Sequence, residues 1–328
     1  MGEQIVEHHG AGIIDDISSH SPPCPLCPLC PLWFLAFGFV MNEQVPFAIM
    51  SDREKYLFDL QGFIVIQGML TSDEVKALNE GLDANHDKRL DDGNRGASGA
   101  MAGDHPRGLY TGMLTWDKPW CQPFRDLLTH KKIIPYLNTL LGRGWKLDHN
   151  PFIYTASKGT EGLNLHGHGM VNLSGSRFYA YQNGRMRCGL INCQYQLADV
   201  NPGDGGLCVV PGSHKTNFCI PREIAIGEED QEIVYHVPMK AGDLVIFSEN
   251  TTHGTLPWTA DNERRSLFYR YTPMYLHYTG GEYETSHPDW VSELTEAQQA
   301  VLQPPYVYNR PLVEDDGETV VQPRREGE

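Results

Sequence analysis

Gly162-Leu-Asn-Leu-His166-Gly-His168-Gly-Met170 is the stretch on which the reading of this sequence turns. Glycine on both sides of His168 opposes a helix. On an extended strand, residues i and i+2 point to one face, so the imidazoles of His166 and His168 can converge on a single ion. Gly167 and Gly169 add no side chain that would crowd it. The plainer reading is a pair of surface or hydrogen-bonded histidines, and the triplet alone does not separate the two. A second cluster adds weight to the first. Lys240-Ala-Gly-Asp243-Leu-Val-Ile-Phe247 is a turn feeding a buried strand. It runs into Ser248-Glu249-Asn-Thr-Thr-His253-Gly254, which places His253 at a strand end. Eleven residues later, Arg264 opens a further strand, Arg264-Arg265-Ser-Leu-Phe-Tyr-Arg270.

Outward from these clusters the pattern is mainly β. Met186–Val200, Gly206–Pro211, Ile233–Pro238, Asp243–Phe247 and Ser266–Thr272 read as strands, separated by Asn-Gly, Pro-Gly and Ala-Gly turns. Many short strands spaced in this way predict a double-stranded β-helix, that is, a jelly roll of the cupin-like kind, with flanking helices. No βαβ alternation and no glycine-rich phosphate loop occurs, which excludes a dinucleotide fold. Upstream, Tyr56 to Glu80 reads as strand, turn and helix, with Thr71 or Ser72 as N-cap. Residues 91–112 read as a long loop, and Pro123–Leu141 reads as helical.

The chain has 328 residues and a formal net charge of −16. That length gives ample core, and the acidic balance gives no general attraction to nucleic acid. Residues 1–49 contain no Lys or Arg and read as a disordered appendage, in which Cys24, Cys27 and Cys30 belong to a low-complexity Cys-Pro-Leu repeat. The apolar run Leu32–Met41 is too short for a membrane span of about 20 residues. The expected organisation is thus an appendage (1–49), a jelly-roll domain with a helical lead-in (50–312) and a charged, frayed tail (313–328). Free thiols and the lack of a positive leader suggest a cytoplasmic protein.

The order His166-x-His168, His253, Arg264 resembles the phytanoyl-CoA dioxygenase family of Fe(II)/2-oxoglutarate oxygenases. Three more stretches carry the resemblance: Tyr56–Gln67 with the helix after it, Gly205-Gly206-Leu207 leading to Pro211-Gly-Ser-His214-Lys215, and Gly242–Phe247 with His253-Gly254. Together they cover about residues 55–275. The resemblance implies a double-stranded β-helix, iron on His166, His168 and His253, and 2-oxoglutarate as cosubstrate with its distal carboxylate on Arg264. A fixed guanidinium suits that carboxylate because it can bind it in a bidentate manner. The family's usual Asp two residues after the first His is here His168, which would make a three-histidine face.

Further candidates follow from the strands. Glu249 is either a compensating carboxylate ligand or, as favoured here, an exposed strand-end carboxylate. His214 is expected to serve structure or the pocket, not to bind metal. Asn192, Gln194 and Gln196 share one strand face, which is either solvated or a polar pocket wall. Arg270 has the parity of Arg264 and could assist it, while Arg265 points the other way. Trp258 either rims the pocket or packs on the sheet. The expected function is a dioxygenase acting on a small organic substrate. The alternatives are a three-histidine dioxygenase independent of 2-oxoglutarate and a non-catalytic jelly-roll binding protein.

Overall fold

The computed structural model describes residues 50–92, 97–167, 169, 177–278, 288–307 and 309–323. The expected appendage and His168 lie outside the described residues. The strands in chain order are β1 (Phe63–Ile66), β2 (Leu90–Asp92), β3 (Arg107–Thr111), β4 (Lys146–Ala156), β5 (Leu163–His166), β6 (Tyr179–Gln182), β7 (Arg185–Cys188), β8 (Ile191–Gln196), β9 (Gly206–Val209), β10 (Tyr235–His236), β11 (Leu244–Ser248), β12 (His253–Leu256), β13 (Arg264–Thr272), β14 (Leu312–Val313) and β15 (Val320–Val321). Among the described residues, a seven-stranded sheet runs β1-β11-β8-β13-β4-β3-β2 and a four-stranded sheet runs β10-β9-β12-β5. All their pairings are antiparallel. This is the two-sheet jelly roll that the spacing of short strands predicts.

Each central strand of the large sheet is buried on both faces, so alternation sorts its side chains between two different environments. On the outer face Ile191, Cys193, Tyr195, Ile246, Leu267, Tyr269 and Tyr271 belong to the main hydrophobic core. Helices cover that face: α1 (Asp52–Gln61), α2 (Ser72–Asp83), α3 (Gln122–Asp126) and α4 (Ile134–Leu141). On the inner face Phe63, Val245 and Phe247 pack with Leu207 and Val209 of the small sheet. The rest of the inner face carries the polar side chains considered below.

Four local expectations are corrected. Tyr56–Gln61 is helical: Ser51 and Glu54 close a capping box at the start of α1, and Gly62, at φ 84°, ends it. The strand read from the apolar run Gly62–Ile66 is β1, and α1 precedes it, where no helix was expected. Pro123–Leu141 is not one helix but α3, a 3-10 turn (Leu127–Thr129) and α4, because Pro135 sits in the first turn of α4 and cannot continue a preceding helix. The loop expected at 91–112 contains β2 and β3, which extend the large sheet to its edge. The expected frayed tail begins inside a hairpin instead: Val313 pairs with Val320 and is itself buried, against the helix-covered core.

His214 illustrates how the helical layer is fastened to the sheets. Its Nε2 lies 3.1 Å from the Asp59 carbonyl of α1, and its ring meets Tyr179 edge-on at 4.8 Å. Burial first, and then Lys215, pull its pKa down to about 4. The unfolded chain takes up this proton near pH 6.5, whereas the folded chain refuses it until about pH 4, so stability falls as pH is lowered through that window. The limit for one such group is about 3 kcal/mol. Urea unfolding of wild type and His214→Gln at pH 7, 5.5 and 4.5 should show a shallower loss on acidification for the variant; equal slopes would remove His214 from the acid response.

Candidate active site

β5 and β12 are neighbours in the small sheet, and their register sets His166 directly opposite His253. The ring centroids are 4.2 Å apart. Each Nδ1 donates to a carbonyl two residues back on its own chain, His166 to Asn164 at 3.0 Å and His253 to Thr251 at 2.7 Å. A carbonyl only accepts, so Nδ1 carries the hydrogen in both rings and Nε2 keeps its lone pair. Burial holds both pKa values below the usual histidine range, His253 at about 3 with His166 as a second cause. The two rings are therefore neutral at physiological pH, the form in which imidazole binds a metal.

The approach of these strands depends on Gly167. Its φ is +118°, and a Cβ there would lie 2.6 Å from the Thr251 carbonyl oxygen and 2.9 Å from the Thr252 Cα. The backbone beside the first histidine thus packs directly against the segment that presents the second.

Glu249 is buried, not exposed as expected. The chain turns tightly after β11, with the Thr251 amide donating to the Ser248 carbonyl and the Glu249 amide to Leu190, and this carries the carboxylate inward. Burial would raise its pKa, but Arg270, His253 and a hydrogen bond from Asn192 outweigh it and hold Glu249 at about 2. Its Oε2 accepts from Asn192 Nδ2 at 2.7 Å and its Oε1 from the Tyr278 hydroxyl at 3.5 Å. Among the described residues, no three His, Cys, Asp or Glu side chains are arranged to hold one metal ion. Glu249 therefore faces Asn192 and Tyr278 and does not complete a triad with the two histidines.

These groups line a cavity of about 540 Å³ between the sheets. Of the expected pocket residues, Gln194, Glu249 and Arg270 line it. Asn192 and Gln196 are fully buried on the same face, so that face is not solvated. Trp258 does not rim the cavity: it is buried with Ala156 and Val200, and its indole donates to the Asn262 carbonyl. Arg265 points to the outer side, where it meets Asp83, Glu263 and Asn79. His214 stands apart, under α1. A larger cleft of about 830 Å³ between α1, α4 and the β6–β7 hairpin contains no histidine and is not the candidate.

Arg264 is buried at 2% exposure, and its Nε has no hydrogen-bond partner. Burial, and then the neighbouring Arg107 guanidinium, lower its pKa to about 10, so it stays charged at neutral pH. Arg107 is a cavity residue that the sequence reading missed. Gly108 pairs with Thr155, and Ala156 pairs with Arg264. This register sets Arg107 and Arg264 on either side of the small Ala156 across three adjacent strands. Arg107 lines the cavity and pairs with buried Asp92 at 3.3 Å. Two adjacent buried guanidiniums favour an anion between or beside them. The one available signal was the short β-prone run Arg107-Gly-Leu-Tyr-Thr111 within what reads as a loop.

The model of the phytanoyl-CoA dioxygenase family (PhyH) matches residues 58–266, more than half of the chain, and the chain belongs to that family. It is accordingly an enzyme. Among solved structures, HygX from Streptomyces hygroscopicus with nickel, 2-oxoglutarate and hygromycin B bound is similar at 22% identity and a TM-score of 0.58, covering 69% of this chain and 89% of that one. HygX with iron bound is similar at 23% identity and a TM-score of 0.55, covering 70% and 89%. At these identities the similarity shows the fold. No curated protein sequence matches this chain.

Gly167→Ala tests the strand contact: the clash with the Thr251–Thr252 backbone should lower Tm by several degrees and reduce metal uptake together. A variant with wild-type melting and wild-type metal content would show that the contact is dispensable.

Proposed function

We propose that this chain is an Fe(II)- and 2-oxoglutarate-dependent dioxygenase acting on a small organic substrate, with His166, His168 and His253 as metal ligands and Arg264 as the anchor of the cosubstrate. The observation that carries this reading is the conjunction of two neutral imidazoles with free Nε2 atoms in the cavity and, behind its wall next to the cavity-lining Arg107, the buried Arg264 guanidinium whose Nε has no partner. The donors fit the group: neutral nitrogen ligands on rigid strands suit a divalent iron, and a charged arginine suits a distal carboxylate. Iron with 2-oxoglutarate supplies, when bound there, the oxidation of a substrate C–H bond by dioxygen.

The protein's own part is placement and charge. The Asn164 and Thr251 carbonyls fix the tautomer and the angle of each ring. Arg264, with Arg107 beside it, holds the far carboxylate and so orients the near end of the same molecule towards the histidines. Phe247, Phe268 and Leu207 wall the cavity and keep bulk water from the reacting centre. Gln194 lines the cavity with its amide nitrogen engaged by Gln196 and Ser266, and Asn192, fully buried beside it, gives its amide to Glu249. A dioxygenase without 2-oxoglutarate, or a non-catalytic binder, leaves Arg264 buried with no anion to meet. Among the described residues no helix is long and apolar enough to cross a membrane. We place the enzyme in the cytoplasm on the sequence reading.

Iron content after anaerobic loading tests the ligand set. His166→Ala, His168→Ala and His253→Ala should each lose at least about ten-fold in metal affinity, while Glu249→Ala keeps it. Retention of iron by His168→Ala with loss by Glu249→Ala would replace the three-histidine assignment with a carboxylate one. Retention by His166→Ala or His253→Ala would end the oxygenase reading.

Binding of 2-oxoglutarate to the metal-loaded protein tests the anchor. Arg264→Ala removes one buried charged partner and should weaken it by about 30-fold or more. Arg107→Ala should weaken it less, and Arg265→Ala should leave it unchanged because that side chain is engaged on the outer face. A larger effect from Arg265→Ala would invalidate the anchor assignment.

A further inference from the structure

Arg270 is a cavity arginine that the site above leaves unused. It has the parity of Arg264 on β13, and it lines the cavity. Six residues separate the two, about 20 Å along an extended strand, so the two side chains leave β13 at opposite ends of its inner face. A five-carbon diacid held at Arg264 and at the histidines leaves the Arg270 end for a second molecule.

That end is built for negative charge. The Arg270 guanidinium rests on the Phe152 ring at 5.0 Å. Its Nε is buried without a hydrogen-bond partner, and among the described residues no carboxylate pairs with it. Arg177 stands at the same end, lying over the Tyr278 ring at 5.1 Å and donating to the Tyr278 hydroxyl. The opposing carboxylate there is Glu249, and its Oε2 is already committed to Asn192. Two cations thus face one carboxylate, in a protein whose net charge is −16. Arg270 is partly buried and already stabilises Glu249, so what a bound anion would neutralise is the excess of two guanidiniums over one carboxylate at this end.

We propose that the substrate of this enzyme carries an anionic group, a carboxylate or a phosphate, received by Arg270 with Arg177 beside it. Its carbon skeleton lies against Phe247 and Phe268, which wall the cavity. This inference rests on the iron and 2-oxoglutarate reading of the site. It gives the acidic end of the substrate a fixed seat, so that a particular carbon is held before the histidines.

The test uses the full chain loaded with Zn(II) as a redox-inert metal and saturated with 2-oxoglutarate, with binding followed by calorimetry. The probes are 4-phenylbutanoate, 4-phenylbutanamide and 3-phenylpropyl phosphate, in which the aromatic end is shared and the charge varies. At least one of the two anions should bind about ten-fold or more tightly than the amide, and which of them does so identifies the group. Arg270→Gln should abolish that preference, and Arg270→Lys, which keeps the charge, should retain most of it. All three proteins should bind 2-oxoglutarate alike, which shows that the variants are folded and that Arg264 is intact. Amide binding as tight as that of both anions, binding of neither anion, or an undiminished preference in Arg270→Gln overturns the proposal. Failure of wild type to take up Zn(II) or 2-oxoglutarate would instead defeat the parent reading, and the proposal with it.

Discussion

Strict alternation on β13 is the constraint on which both halves of the molecule depend. Leu267, Tyr269 and Tyr271 enter the helix-covered core, and the Tyr269 and Tyr271 hydroxyls reach the Phe124 and Leu127 carbonyls of the helical layer. Arg264, Ser266, Phe268 and Arg270 go to the other side. A slip of one residue would put arginines among the core tyrosines and leucines between the sheets. The apolar face therefore fixes the register, and the register fixes which arginines lie on the inner side of the sheet. β4 and β8 flank β13 and carry the same division onward, to Arg107 on one side and to Asn192 on the other.

The inner face holds polar groups that burial alone would disfavour. Each is kept in the charge state that its surroundings permit. The histidines are neutral, because desolvation removes their protons and backbone carbonyls take the Nδ1 hydrogen. Glu249 stays ionised because Arg270 and Asn192 compensate its burial. Arg264 stays charged because a guanidinium's intrinsic pKa is high enough to survive desolvation. Neutral nitrogen donors thus lie in a cavity that Arg107, Arg177 and Arg270 also line.

The position of Glu249 shows how a loop alters an assignment made from spacing. Extended from His253, four residues would set it on the ligand face but near the surface. In the folded chain Ser248–Thr252 is a tight turn held by Asn250, which donates to the His214 carbonyl, and by Thr251, which donates to Gly62. The carboxylate is turned inward, past the histidines, towards Tyr278. The turn is thus tied both to the segment carrying His214 and to the junction of α1 with β1, so the site and the helical layer share one set of hydrogen bonds.

Period-2 patterning pointed to the jelly roll because alternation is a property of the chain itself, whereas the chemistry came from the resemblance of the order His166, His253 and Arg264 to a known family. The opposite faces of Arg264 and Arg265 were readable from the same alternation. What only the tertiary structure decided came from strands far apart in sequence. Arg107 meets Arg264 across Ala156 because β3 adds to the edge of the large sheet, and nothing in the loop-like residues 91–112 announces that pairing. Trp258 packs behind the sheet because Ala156 and Val200 leave space there. The capping box of Ser51 and Glu54 and the left-handed Gly62 set α1 ahead of the expected strand β1, and the core beneath accepts a helix there. Local sequence specifies which way a side chain points; the pairing of distant strands specifies what it points at.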